Sequence, residues 1–120
     1  MNMKRQSTKK VVTIDISADD DLTLEPLDLS IFSGGVLEMP AAITACSLGF
    51  KVSADEDGTP VALYDHDGNL VQISSPTAAL AYELPPELFA CRYVWIWSQN
   101  GSGTNTAQAA DRSFTISLKS

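Results

Sequence analysis

Val61-Ala-Leu-Tyr-Asp-His-Asp-Gly-Asn-Leu-Val-Gln-Ile73 carries a strong hairpin signal and points to an all-β chain. Two short apolar runs flank Asp65-His-Asp-Gly-Asn69. An Asp-Gly pair between such runs is hairpin chemistry, because both residues tolerate the positive φ that a tight turn demands. Working outward, Ser74-Ser-Pro-Thr77 is a turn, residues 78–84 form a strand, and Pro85-Pro-Glu-Leu-Phe89 is a rigid corner. Arg92-Tyr-Val-Trp-Ile-Trp-Ser98 is the most β-prone run, and Arg112-Ser-Phe-Thr-Ile-Ser-Leu118 alternates apolar and polar throughout as the last strand. Between them, residues 99–111 are polar and glycine-bearing and read as a long, flexible loop whose tip orders against a neighbour.

Upstream, Asp55-Glu-Asp-Gly-Thr-Pro60 is a loop, and residues 48–53 alternate as a strand. Val36-Leu-Glu-Met39 is a strand closed by Pro40, and residues 41–45 have room for one helical turn. Residues 22–29 again have period two, with Pro26 confining them to an edge or a bulge. Val11-Val-Thr-Ile-Asp-Ile16 is the first strand. About eight strands with almost no helix predict an all-β protein, an antiparallel β-sandwich of jelly-roll type. A parallel sheet would need crossover helices, and the gaps are too short for them.

A chain of 120 residues is the usual size of one domain, here residues 11–120. Ahead of it, residues 1–10 hold Lys4, Arg5, Lys9 and Lys10, half of the eight Lys and Arg residues, and no acid. The remainder carries four basic and fifteen acidic side chains, a net of −11. Residues 1–10 therefore read as an extended basic arm on an acidic body, suited to an acidic groove on a neighbouring protein. A pI near 4.4 disfavours nucleic acid as the partner of the body. No apolar run approaches the ~18 residues of a membrane span. Residues 11–16 are too short for a signal h-region and are interrupted by Asp15, which predicts synthesis in the cytoplasm.

Cys46 falls on the same face as Leu48, Phe50 and Val52, whereas Cys91 shares a face with Tyr93, Trp95 and Trp97. If Val94 and Ile96 face the core, the two thiols lie on different faces and stay free. Two cysteines cannot build a structural zinc site. Asp65-x-Asp67-x-Asn69 begins like a calcium loop, but an EF-hand needs Gly at its sixth position and Glu at its twelfth, where Leu70 and Pro76 stand. His66, the only histidine, lies at a turn tip, where a catalytic base would not be held rigidly. No catalytic residue, metal site or cofactor is expected. Trp95 and Trp97 lie two apart and share a face. With Val94 and Ile96 in the core, the indoles and Tyr93 form an exposed interface or a sugar-stacking platform; with the faces exchanged, they are core. Arg92 and Ser98 on the Val94/Ile96 face favour the exchange, so both assignments stay open.

Ala90-Cys-Arg-Tyr-Val-Trp-Ile96 resembles a strand of discoidin-like jelly rolls. Val36-Leu-Glu-Met-Pro-Ala-Ala42, Leu48-Gly-Phe-Lys-Val-Ser53, Leu63-Tyr-Asp-His-Asp-Gly68 and Ala107-Gln-Ala-Ala-Asp-Arg-Ser-Phe-Thr-Ile-Ser-Leu118 are similar to features of small tailed-phage virion proteins. That resemblance runs from about Val11 onward. It implies a non-enzymatic structural protein of the virion, a capsid decoration or cement subunit or a tail- or connector-associated one. Its partners would be the major capsid protein, other virion subunits and further copies of itself. The family often has Arg where Trp95 and Trp97 stand, which makes a hydrophobic protein contact there more attractive. A carbohydrate-binding module using Tyr93, Trp95 and Trp97 is the rival reading.

Overall fold

β-Branched, alternating segments become strands where one face can meet a core, and nine of them do so among residues 8–120, the part that the computed structural model describes. They are β1 (Lys9–Ile16), β2 (Leu27–Asp28), β3 (Gly34–Glu38), β4 (Ser47–Ser53), β5 (Val61–Ala62), β6 (Gln72–Ile73), β7 (Ala81–Glu83), β8 (Tyr93–Gln99) and β9 (Arg112–Lys119). All pairings are antiparallel. One sheet has the order β1-β9-β3-β7; the other has β2-β8-β4-β5, with β6 also on β4. Successive strands mostly change sheets, so the chain winds around a shared core. The protein is an all-β sandwich.

The core forms where the inward faces meet. Ile14, Ile16, Leu37, Phe114, Ile116 and Leu118 project from the first sheet onto Leu27, Leu48, Phe50, Val94 and Ile96 of the second, and Leu29, Phe32, Met39, Val71, Leu84 and Leu88 join the cluster from the connecting segments. Val94 and Ile96 therefore take the inner face of β8. Pro26 does what its missing N–H dictates: β2 is a two-residue edge strand, and Leu22 makes only an isolated bridge to Trp97.

The hairpin is placed differently from the expectation. Residues 61–63 and 71–73 both run along β4, with Ala62 opposite Lys51 and Gln72 opposite Gly49. Between them residues 64–70 project outward, and only Tyr64 and Leu70 pair across the neck. The turn itself is as read. Gly68 has φ +81°, and the Asp65 carboxylate accepts the Asp67 and Asn69 amides at 2.9 Å each. Those bonds, the Asn69 amide first, hold the Asp65 carboxyl below its ordinary value.

Three further expectations are corrected. Residues 41–45 form no helical turn; the one short helix among the described residues is a 3-10 segment, Pro86–Ala90, started by the two prolines. Cys91 lies before β8, not within it, and packs against the core as Cys46 does; both are free thiols. β1 begins at Lys9, so Lys9 and Lys10 pair with Lys119 and Leu118 instead of belonging to an arm.

Ile96→Ala should cost about 2–5 kcal/mol in chemical denaturation, because its side chain has no exposure and its cavity has rigid walls. The Asp65 carboxylate stabilises the hairpin above its unfolded pKa, near 3.8, and that contribution disappears as pH falls through the lower folded value. An NMR titration should therefore show the Asp67 and Asn69 amides shifting with a midpoint below 3.8.

Candidate functional site

Both faces of β8 are covered by the chain's own residues, which overturns the exposed reading of the tryptophans. Trp95 is 6% and Trp97 3% exposed, while Tyr93 is half-buried with the Arg92 guanidinium 5.0 Å from its ring centre. Room for the second indole comes from Gly49, its partner in register on β4; a Cβ there would stand 2.8 Å from Trp97 Cε3. Lys51 Nζ lies 4.6 Å from the Trp97 ring centre, in cation–π range. The indole Nε1 donates to Asn105 Oδ1 at 2.8 Å.

The segment after β8 makes this lid. Asn105 bridges back to Gln99, the Thr106 amide donates to the Ser98 carbonyl at 3.0 Å, and Gly103, at φ +89°, sits over the rim of Trp97. Gln99 Oε1 accepts the Gly101 and Gly103 amides, and its Nε2 donates to Gln72 Oε1 at 2.7 Å. Gln108, fully buried, donates to Ser98 Oγ at 2.8 Å and accepts from the Thr44 amide and from Arg112 Nε. Residues 99–111 are thus strapped to their own domain rather than left as a flexible tip. A glutamine reads as surface in sequence, and only the partners brought by the fold satisfy it inside.

Several large apolar side chains are exposed, among them Leu24, Ile31, Val61 and Leu80, but Val11 and Val36 share one row on the outer face of the first sheet. One row crosses all four strands: Val11 opposite Ser117, Ser117 opposite Val36, Val36 opposite Glu83. Val11 is 67% and Val36 42% exposed. The adjacent row sets Lys9 opposite Lys119, and Lys119 opposite Gly34, where a Cβ would meet nothing. Together these rows line an open groove of about 540 Å³. Like charges opposite one another repel, so the lysine pair is cheapest when an anion shares it. The face combines small or β-branched side chains, the cations Lys9 and Lys119, and the carboxylates of Glu38 on β3 and Glu83 on the edge strand β7.

Of the residues singled out in sequence, Lys9 belongs to this face and Lys10 follows it on β1; Lys4 and Arg5 lie outside the described residues. Val36, Lys119 and Gly34 were missed. Their alternation shows which side of each strand is polar, but the row forms only through pairing in space. His66 is solvated at the hairpin tip, 3.5 Å from the Asp67 carboxylate. Among the described residues no three His, Cys, Asp or Glu side chains converge, and no helix is long and apolar enough to cross a membrane.

No family model matches the chain, and no curated protein matches it in sequence. Among solved structures the chain is similar to the SPBc2 prophage-derived protein YomS. The TM-score is 0.55 with 13% identity, over 100% of both chains. At that identity the likeness is one of fold.

Trp fluorescence should be blue-shifted and poorly quenched by iodide in the native chain. Gln108→Leu should cost about 1–3 kcal/mol in denaturation, since it strands the Thr44 amide and the Ser98 hydroxyl in a buried site.

Proposed function

We propose that this protein is a non-enzymatic structural subunit of a tailed-phage particle, a decoration or cement protein that binds the major capsid protein. The outer face of the first sheet carries this reading: a Val11/Val36 row and a Lys9/Lys119 pair on an otherwise acidic protein. Such a face fits an apolar protein surface with an acidic rim. The apolar row supplies burial, and the lysines supply orientation and rate of encounter. The sequence ahead of β1, with Lys4 and Arg5, adds basic charge suited to an acidic groove on an adjoining subunit. The prophage origin of the structurally similar protein supports a phage setting. Contacts that exist only between assembled subunits bias the shell against disassembly, and many copies turn modest contacts into firm attachment. The rival sugar-binding reading loses its platform with the burial of Trp95 and Trp97.

The test is loading of purified protein onto phage particles that lack it, scored by bound copies and by cryo-electron microscopy. Wild type should decorate the shell. Val36→Asp with Lys119→Glu, both at exposed positions, should lower occupancy at least tenfold, and deletion of residues 2–7 should weaken it while the sandwich stays folded. Density only at the tail, or undiminished loading by these variants, would overturn the decoration role.

A further inference from the structure

β1 is the longest edge strand among the described residues, and the direction of its free hydrogen-bonding groups follows from its neighbours. The Thr8 carbonyl accepts from the Ser120 amide on the β9 side, whereas the Asp15 carbonyl accepts from Leu24 on the opposite side. Along an antiparallel strand these directions alternate. Even-numbered residues therefore bond β9, and Lys9, Val11 and Thr13 turn both N–H and C=O toward open space. At Asp15 the 22–24 segment closes the edge. Six backbone groups in a row remain without a backbone hydrogen-bond partner among the described residues, with no proline or bulge in this stretch of β1. Unpaired edges of this kind are what natural sheets usually protect.

We infer that this edge pairs with the same edge of a second copy, β1 against β1 about a two-fold axis. Only residues whose groups face outward can exchange both bonds, which allows a single full register: Lys9 opposite the second copy's Thr13, Val11 opposite Val11, and Thr13 opposite Lys9. The ladder ends before the 22–24 strap of either copy. Its charges agree, because each Lys9 falls diagonal to the other copy's Asp15 on the outer face, within reach of a long side chain. Val11, 67% exposed in the single chain, meets its own equivalent at the axis. An isologous contact of this kind closes on itself and yields a dimer with one continuous eight-stranded sheet. The pairing shares Lys9 and Val11 with the proposed shell-binding face but leaves Val36 and Lys119 outside it, so variants at those two positions test the shell contact separately.

Sedimentation of the full chain should show a mass rising with concentration from 12.9 kDa toward twice that value. Hydrogen exchange supplies the specific mark. The Lys9, Val11 and Thr13 amides should gain protection as the dimer forms, while Val12 and Ile14 are protected at every concentration. Thr13→Pro removes an edge-facing N–H without touching the β9 ladder and should weaken association at least tenfold; if that variant fails to fold, the amide pattern decides. Deletion of residues 2–7 should leave the dimer intact. A chain that stays monomeric to about 1 mM overturns the inference, that being the weakest binding such an assay resolves. So does a dimer whose odd-numbered β1 amides exchange freely, or one lost on deleting residues 2–7, which would make that segment the occupant. Particle loading by Val36 and Lys119 variants is read separately and survives either result.

Discussion

Seven residues of β4 pair in register with seven of β8, and that alignment fixes what each sheet face can hold. It sets Gly49 opposite Trp97 and Phe50 opposite Ile96, so one alignment settles both faces at once. On the inner face it brings Leu48, Phe50, Val94 and Ile96 into the core. On the outer face it opens a slot above a glycine wide enough for an indole. A slip of one residue would exchange the faces, exposing the core set and driving Lys51 inward, which is why such a register is held strongly.

Once Trp97 lies in that slot, the segment beyond β8 has a surface to fold upon. Asn105 takes the indole N–H, Gly101 and Gly103 adopt positive φ, and Gln99 gathers their amides. Gln108 then closes the end of the sandwich by reaching Ser98, Thr44 and Arg112. Each buried polar side-chain atom among the described residues has a partner, so the strap costs little in desolvation. One sheet is thus largely covered on its outer side by its own chain, although Val61 on its edge strand β5 stays exposed, and the first sheet is left bare there, with Val11 and Val36 exposed.

The bare sheet offers two kinds of contact. Its face presents side chains, in rows that mix valine, serine and lysine. Its β1 edge presents backbone, which is indifferent to sequence and demands only an extended partner. In the proposed assembly the face meets the shell and the edge meets a neighbouring copy, with Lys9 and Val11 where the two contacts adjoin.

Period-two alternation and turn chemistry determined the strands, the Asp-Gly hairpin, the edge character of β2 and the sandwich class, because these rest on local backbone preference and on which face is apolar. Both apolar faces of β8 were equally legible, and for that reason alternation could not say which was core. Only the tertiary structure decided it, by pairing Trp97 with Gly49 and folding residues 99–111 over the indole. The start of β1 at Lys9 was likewise hidden, since lysines are poor strand formers alone and are held there by pairing with β9. Local chemistry reports what a segment prefers; which segments become neighbours is a property of long-range pairing.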